Sequence, residues 1–248
     1  MRYFIQLSYN GSAYHGWQIQ PNAITVQETL EDAISKLLNL DISVTGAGRT
    51  DTGVHAAQMF AHFDYNRSID TKTLMYKLNS FLPNDIAIHD IFRVKDDAHA
   101  RFHAIRRSYN YKITLVKDVF QYNYAYYIHQ DLDVDKMNEA AKILLQYQDF
   151  QCFSKSNTDV KTYNCKIEFA QWKLKNNTLV FTISADRFLR NMVRAIVGTL
   201  VNIGLGKMEV DDMHRIIASK DRGEAGFSVP AKGLYLTEVI YPKTINLI

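Results

Sequence analysis

The sequence predicts an α+β protein made of two ferredoxin-like halves, with antiparallel sheets joined around a central cleft. Three observations carry that expectation. Apolar residues recur with strand and helix periods in the order β-α-β-β-α-β over residues 1–100, the split arrangement of a ferredoxin-like unit. The remainder repeats this plan in its elements but not in its residues. No Pro-, Gly- or Ser-rich linker and no low-complexity run separates the halves, so the two sheets are expected to pack or join. At 248 residues the chain suffices for one large domain or two closely packed ones. The division is expected near 97–101, giving an N-terminal half of residues 1–100 and a C-terminal half of residues 101–248.

Arg2 to Tyr9 alternates, with Tyr3, Ile5, Leu7 and Tyr9 on one side, and reads as a strand. After a Pro-containing loop, Thr25-Val26-Gln27-Glu28 has capping-box spacing, and Val26, Leu30, Ile34, Leu37 and Leu38 form one helical stripe. Short strands are expected at Ile42 to Thr45 and Ala57 to Phe63. Asp70 can cap a second helix carrying Leu74, Leu78 and Phe81, which Pro83-Asn84 stops. Ile86 to Phe92 reads as the next strand. In the second half, strands are expected at Ser108 to Val116, Lys166 to Leu174, Leu179 to Ala185 and Leu234 to Ile240. A helix capped by Asp133 carries Val134, Met137, Ala141 and Leu144. Another spans Phe188 to Ile203, and a shorter one Asp211 to Ser219.

Composition is that of a folded soluble protein, with 47% hydrophobic and 22% charged residues. No apolar run approaches membrane-spanning length, and the opening Met1-Arg2-Tyr3-Phe4-Ile5-Gln6 lacks the layout of a signal peptide. Cys152 and Cys165 lack metal-ligand spacing, and two unpaired thiols suit a reducing cytosol, so a cytoplasmic protein is expected. The net charge of +3 says little, but its distribution says more. Basic residues gather at Arg101, Arg106 and Arg107 and again at Arg187, Arg190 and Arg194. With 15 Tyr and 13 Phe in the chain, cations and aromatics interleave, as binding of looped RNA requires. The same composition also describes charges solvating a surface and aromatics filling a core.

The most distinctive stretch is Gly46-Ala47-Gly48-Arg49-Thr50-Asp51-Thr52-Gly53-Val54-His55-Ala56. A phosphate-binding P-loop needs Lys and Ser/Thr after its last glycine, and neither is present. A dinucleotide fingerprint needs a third glycine where Asp51 stands, and a helix where a strand follows. Asp51 and His55 lie four apart, a spacing that aligns ligands only on a helix, which the glycines disfavour; no metal is expected. Two readings of Asp51 remain. It is a turn residue, as aspartates commonly are, or a reactive carboxylate kept ionised by Arg49 nearby.

The loop closely resembles the signature of the bacterial tRNA pseudouridine synthases of the TruA type. Tyr14-His15-Gly16-Trp17-Gln18 resembles that family's opening motif. Leu82-Pro83, His99-Ala100-Arg101-Phe102 and Arg107-Ser108-Tyr109 follow in the family's order. Asn191-Met192-Val193-Arg194, Ile196-Val197-Gly198 and Gly233-Leu234-Tyr235-Leu236 complete it, so the resemblance covers nearly the whole chain. Thr52 sits at a position that varies in the family, and Gly226-Phe227-Ser228-Val229-Pro230 departs from the smaller residues often found before the last strand.

The resemblance implies an isomerase without cofactor or metal, acting on uridines at positions 38 to 40 of the tRNA anticodon stem-loop. It also implies a homodimer with one tRNA spanning both subunits. Asp51 matches the nucleophile. It attacks the base or the sugar carbon, or stabilises a glycal intermediate, and each scheme needs an extruded nucleotide. Tyr109 matches the tyrosine that packs against the target base, whereas Tyr111, on the same strand face, reads as core. Arg194 matches the basic partner of the aspartate, and Leu234 an apolar residue lining the pocket. Arg49 reads as a pocket or RNA contact, with a local salt bridge as the alternative. His55 reads as a buried hydrogen-bonding residue, and Trp17 and Gln18 as pocket border or core. Arg101, Arg106 and Arg107 are assigned to phosphates, which position RNA without reading it. Arg187 and Arg190, at helical spacing with Arg194, are assigned either to phosphates or to a solvated helix face.

Two other readings compete. One is a non-catalytic RNA-binding protein on a ferredoxin-like scaffold, against which the missing aromatic RNA-recognition signature counts. The other is a hydrolase acting through Asp51, against which the lack of a second carboxylate in the loop counts.

Overall fold

The computed structural model describes residues 1–155 and 160–245. Among them the structure is mixed α and β, with five α-helices and strands paired largely antiparallel. In chain order the elements are β1 (Arg2–Tyr9), α1 (Val26–Leu38), β2 (Thr45–Gly46), β3 (His55–Asp64), α2 (Thr71–Phe81), β4 (Ile86–Val94) and β5 (Arg106–Thr114). There follow β6 (Tyr126–Tyr127), α3 (Val134–Ile143), β7 (Ile167–Lys175), β8 (Thr178–Ala185), α4 (Met192–Gly204), α5 (Asp212–Ser219) and β9 (Leu234–Ile240).

The chain divides into two compact units, residues 1–105 together with the chain from Tyr235 onward, and residues 106–234. The division expected near 97–101 therefore falls later, and all but the first residue of the last strand belongs with the first unit. Hydrogen bonding explains this. Tyr235 and Leu236 pair in parallel with His55 and Ala56. The Ile105 N–H donates to the Ile240 carbonyl at 2.8 Å, and the Tyr241 hydroxyl to the Ala100 carbonyl at 2.6 Å.

In the first unit β1 is the central strand, antiparallel to β4 on one side and to β3 on the other. The outer edge of β3 is shared, by β9 at its start and β2 at its end. Helix α1 begins where expected: Thr25 accepts from the Glu28 N–H, a cap worth about 1 kcal/mol. Val26, Leu30, Ala33 and Ile34 are its buried face. Asn39, in the left-handed conformation, ends it. Asp70 caps α2 in the same way, and Leu74 and Leu78 are buried, whereas Phe81 lies outside the core beneath the Lys36 ammonium.

One strand is much shorter than expected. Residues 42–44 do not pair with β3, because the side chains of α1 occupy their backbone groups. The Ile42 N–H donates to Ser35 Oγ at 2.9 Å and the Val44 N–H to Glu31 Oε1 at 2.8 Å, while Gln27 Nε2 donates to the Val44 carbonyl at 3.0 Å. Only Thr45 and Gly46 are left to pair with His62 and Ala61.

In the second unit β8 lies between β5 and β7, antiparallel to both, and β6 adds a short parallel pairing to β5. Helix α4 is apolar nearly all round and correspondingly buried from Met192 to Gly204, with Asn202 and Arg194 the partly exposed positions. Tyr111, Ile113, Phe181, Ile183 and Trp172 complete the core, with the rings of Trp172 and Phe181 tilted against each other at 5.0 Å. Tyr111 is fully buried and donates its hydroxyl to the Pro230 carbonyl at 2.8 Å, as its core reading requires. Cys152 and Cys165 are buried free thiols, each pushed up to about 12 by burial.

Helix α4 starts four residues later than expected. Asn191, its N-cap, has φ 67, a left-handed conformation that ends any right-handed ladder arriving from Phe188. The Asn191 amide donates to Ser228 Oγ at 2.6 Å and holds that turn. Arg187 and Arg190 precede the helix, so they do not form one helical stripe with Arg194.

Candidate active site

The residues with chemistry fall into two groups, one in each unit. In the first unit, Asp51 is half-buried between the buried Thr50 and Val54. Its loop is held at successive backbone groups. The Trp17 N–H donates to the Thr50 carbonyl at 3.2 Å, the Gly53 N–H to the Tyr14 carbonyl at 3.3 Å, and the Val54 N–H to the Asp51 carbonyl at 3.1 Å. The Thr50 hydroxyl meets that of Tyr9 at 2.8 Å, tying the residue before Asp51 to β1.

The opening motif Tyr14-His15-Gly16-Trp17 is the other side of this clamp. Gly16 has φ +89, and a Cβ there would stand 2.3 Å from the Thr50 carbonyl oxygen and 3.1 Å from the Asp51 carbonyl carbon. Only glycine permits both the backbone conformation and the close approach. Trp17 is buried, and its indole lies where a Cβ on Gly46 would be. It is therefore core, and Gln18 beside it is exposed. Tyr14 donates its hydroxyl to Asp85 Oδ1 at 2.6 Å; burial and that carboxylate raise the phenol above its ordinary range. His55 is buried, accepts the Gly11 N–H on Nδ1 at 3.1 Å and stacks on Tyr235 at 4.6 Å, so it has the structural character expected of it.

Within this pinned loop one position is open. A Cβ on Gly48 would meet nothing within 4 Å. Arg49 next to it is exposed and, among the described residues, makes no ion pair.

In the second unit, Tyr109 on β5 is half-buried, opposite Ile183, with its ring edge-on to Phe188 at 5.1 Å. Arg194 stands in the first turn of α4 and donates Nε to the Val229 carbonyl at 2.7 Å, while the Val229 N–H returns to the Arg194 carbonyl at 3.3 Å. The segment Gly226–Pro230 is seated directly on α4. A Cβ on Gly198 would stand 1.8 Å from the Phe227 carbonyl oxygen, and the Gly226 N–H donates to Thr199 Oγ1 at 2.8 Å. Burial raises the Tyr111 phenol, with the positive charge of Arg194 opposing. Leu234, 6% exposed, follows this segment at the start of β9.

The remaining arginines differ in what holds them. Arg101 and Arg190 are exposed, and Arg106, Arg107 and Arg187 are half-buried. Arg107 donates to the Asp186 carbonyl at 2.8 Å, bracing the end of the β5–β8 pair, and Arg187 to the Thr162 carbonyl at 3.3 Å, bracing the segment before β7. Sequence reading missed three residues here: Thr50 as an anchor, Gly16 as the seat of the loop, and Phe188 as the neighbour of Tyr109. Gly16 carried the only signal, as a lone glycine within an aromatic motif.

Two further observations bear on chemistry. Among the described residues no group of three His, Cys, Asp or Glu side chains could hold a metal ion, and no helix is long and apolar enough to cross a membrane.

A sequence model of the tRNA pseudouridine synthase family matches residues 6–103 and 140–242. The chain is 55% identical over 246 residues to a tRNA pseudouridine synthase A of Bacteroides fragilis, covering 98% of each chain. It is 52% identical to the protein of that name from Bacteroides thetaiotaomicron, over 98% of this chain and 92% of the relative. With the one from Thermoanaerobacter sp. the identity is 43%, over 96% of this chain and 98% of the relative.

Proposed function

The chain belongs to the tRNA pseudouridine synthase family, and we propose that it isomerises uridines at positions 38 to 40 of the tRNA anticodon stem-loop, with Asp51 as nucleophile. The reaction breaks the bond from ribose C1′ to base N1 and forms one from C1′ to C5. The C5 proton is lost and N1 gains one, so atoms balance without net oxidation or reduction. The observation that carries this reading is the construction of the Asp51 loop: a half-buried carboxylate on a backbone pinned before and after it, beside the open position at Gly48. Such preorganisation suits a group that must meet one atom of a nucleotide taken out of its stack.

Roles follow for the other residues. Arg49, exposed and without an ion pair among the described residues, supplies a cation to the entering nucleotide. Tyr109, half-buried with its edge on Phe188, offers a ring to the flipped base, and Leu234 an apolar wall. The family resemblance assigns Arg194 the role of cationic partner to the catalytic aspartate. Arg101, Arg106 and Arg190 contact phosphates, and Arg107 and Arg187 add charge where they brace the protein. A fold of two ferredoxin-like halves is part of the proposal, and the antiparallel β4-β1-β3-β2 order of the first unit supports it for that unit. So is a cytoplasmic homodimer, which the family resemblance supports.

The test uses tRNA transcripts labelled with tritium at uridine C5, incubated with the protein without added metal or nucleotide. Tritium release, lost when positions 38 to 40 are all cytidine, is the expected result. Release that persists from the substituted transcript contradicts the assigned positions, and no release from any tRNA contradicts the activity.

A further inference from the structure

Within the connection from β4 to β5, residues 98–103 form a turn held at many of its backbone groups. Three histidines each accept its backbone N–H groups through Nδ1. His62 accepts Ala100 N–H at 3.2 Å, His103 accepts His99 N–H at 3.2 Å, and His99 accepts both Arg101 N–H at 3.1 Å and Phe102 N–H at 3.3 Å. Each of these Nδ1 atoms accepts, and so carries no proton of its own. The turn's carbonyls are held as well. Arg2 donates to Ala98 at 2.8 Å, Tyr241 to Ala100 at 2.6 Å, and the His103 N–H to His99 at 3.0 Å.

What this framework displays is an aromatic ring. Phe102 is 71% exposed, with the Arg101 guanidinium 5.8 Å from its centroid and the His99 ring 4.2 Å away. A lone exposed apolar side chain needs no explanation. One mounted on a locked turn, next to a cation, has the two parts that meet an unpaired nucleotide: a π face for the base and a positive charge for its phosphate.

We propose that Phe102 is a stacking platform for an unpaired tRNA base other than the reacting uridine, held in place by the turn that His62, His99 and His103 lock. The inference rests on the reading above that the substrate is tRNA. Stacking is sequence-tolerant, because every base has a π face, so the platform positions the RNA and leaves its sequence unread. Loss of one base–aromatic stack weakens binding by roughly 5- to 150-fold.

The experiment measures tRNA dissociation constants and pseudouridine kinetics for Phe102→Ala, Phe102→Leu and Phe102→Trp. The side chain is exposed, so thermal unfolding should be unchanged in all three. Phe102→Ala and Phe102→Leu should bind tRNA about tenfold more weakly, with the loss in KM and not in kcat, while Phe102→Trp binds as the wild type does. The salt slope should be that of the wild type, because stacking releases no counterions, whereas Arg101→Ala should flatten it. Removing single anticodon-loop bases from the tRNA should reveal one whose loss weakens the wild type but not Phe102→Ala. Wild-type affinity in Phe102→Ala, or in Phe102→Leu, overturns the platform. The two proposals fail separately. Weakened binding by Phe102→Ala in a protein that forms no pseudouridine sinks the activity and keeps the platform; unchanged binding in an active enzyme does the reverse.

Discussion

The hydroxyls of Tyr9 and Thr50 meet at 2.8 Å in the interior, one residue before Asp51. The pair ties the loop to the central strand of its sheet, and Thr50 also accepts the Trp17 N–H through its carbonyl. Thr50→Val keeps the shape and removes one hydroxyl, leaving that of Tyr9 buried without this partner. The expected cost is about 1–2 kcal/mol of stability, read by urea denaturation. Turnover should fall while tRNA affinity stays, since the damage is to the placement of Asp51. Unaltered turnover in a destabilised protein would mean that the anchor serves folding alone.

Two glycines near Asp51 make opposite predictions. Gly16→Ala forces a side chain into a left-handed backbone and against the Thr50 carbonyl, 2.3 Å from the new Cβ. The conformation alone costs about 1–2 kcal/mol, so both stability and activity should drop. Gly48→Ala meets nothing within 4 Å. It should fold with wild-type stability yet lose activity, if the space beside Gly48 is where the nucleotide approaches. Full activity in Gly48→Ala would move the approach elsewhere.

Arg194→Ala removes a donor to the Val229 carbonyl as well as a charge. Pseudouridine formation should fall by at least about a hundredfold, roughly 3 kcal/mol of transition-state stabilisation, while the tRNA dissociation constant moves less than about twofold. Filter binding beside single-turnover kinetics separates the two. A parallel loss of affinity would recast Arg194 as a phosphate contact.

His62 is pushed down to about 4 by burial, with Arg2 and His99 acting in the same direction and Asp64 against them. An ordinary histidine titrates near about 6.5. Between those values the unfolded chain binds a proton at this residue that the folded chain does not, so stability rises with pH across the window and is complete above it. His99 is lowered as well, by burial and by Arg2, His103 and Arg101. Melting temperature should therefore fall as pH drops from about 6.5 toward 4. His62→Asn, which keeps an acceptor but cannot titrate, should show a shallower fall. Identical slopes in the two proteins would remove His62 from the linkage.

How much the sequence could say depends on where each signal resides. The caps at Thr25, Asp70 and Asp133 are local chemistry, and α1, α2 and α3 begin where they dictate. Residues 42–44 look like a strand because the β-branched, apolar Ile42 and Val44 alternate with the polar Ser43. What prevents pairing is the set of α1 side chains that occupy their amides, a tertiary effect invisible to a local pattern. Arg187, Arg190 and Arg194 have helical spacing, but the left-handed Asn191 makes that spacing irrelevant. The Asp51 loop was conspicuous through its glycines and acid. Its anchors, Thr50 and Gly16, lie in separate stretches that only the fold brings together.

Replacing the Asp51 carboxylate by an amide tests the proposed chemistry with the least structural change. Asp51→Asn should melt with the wild type and bind unmodified tRNA with wild-type affinity, yet form no detectable pseudouridine in a single-turnover assay. Product from Asp51→Asn at the wild-type rate would contradict a nucleophilic role for this residue.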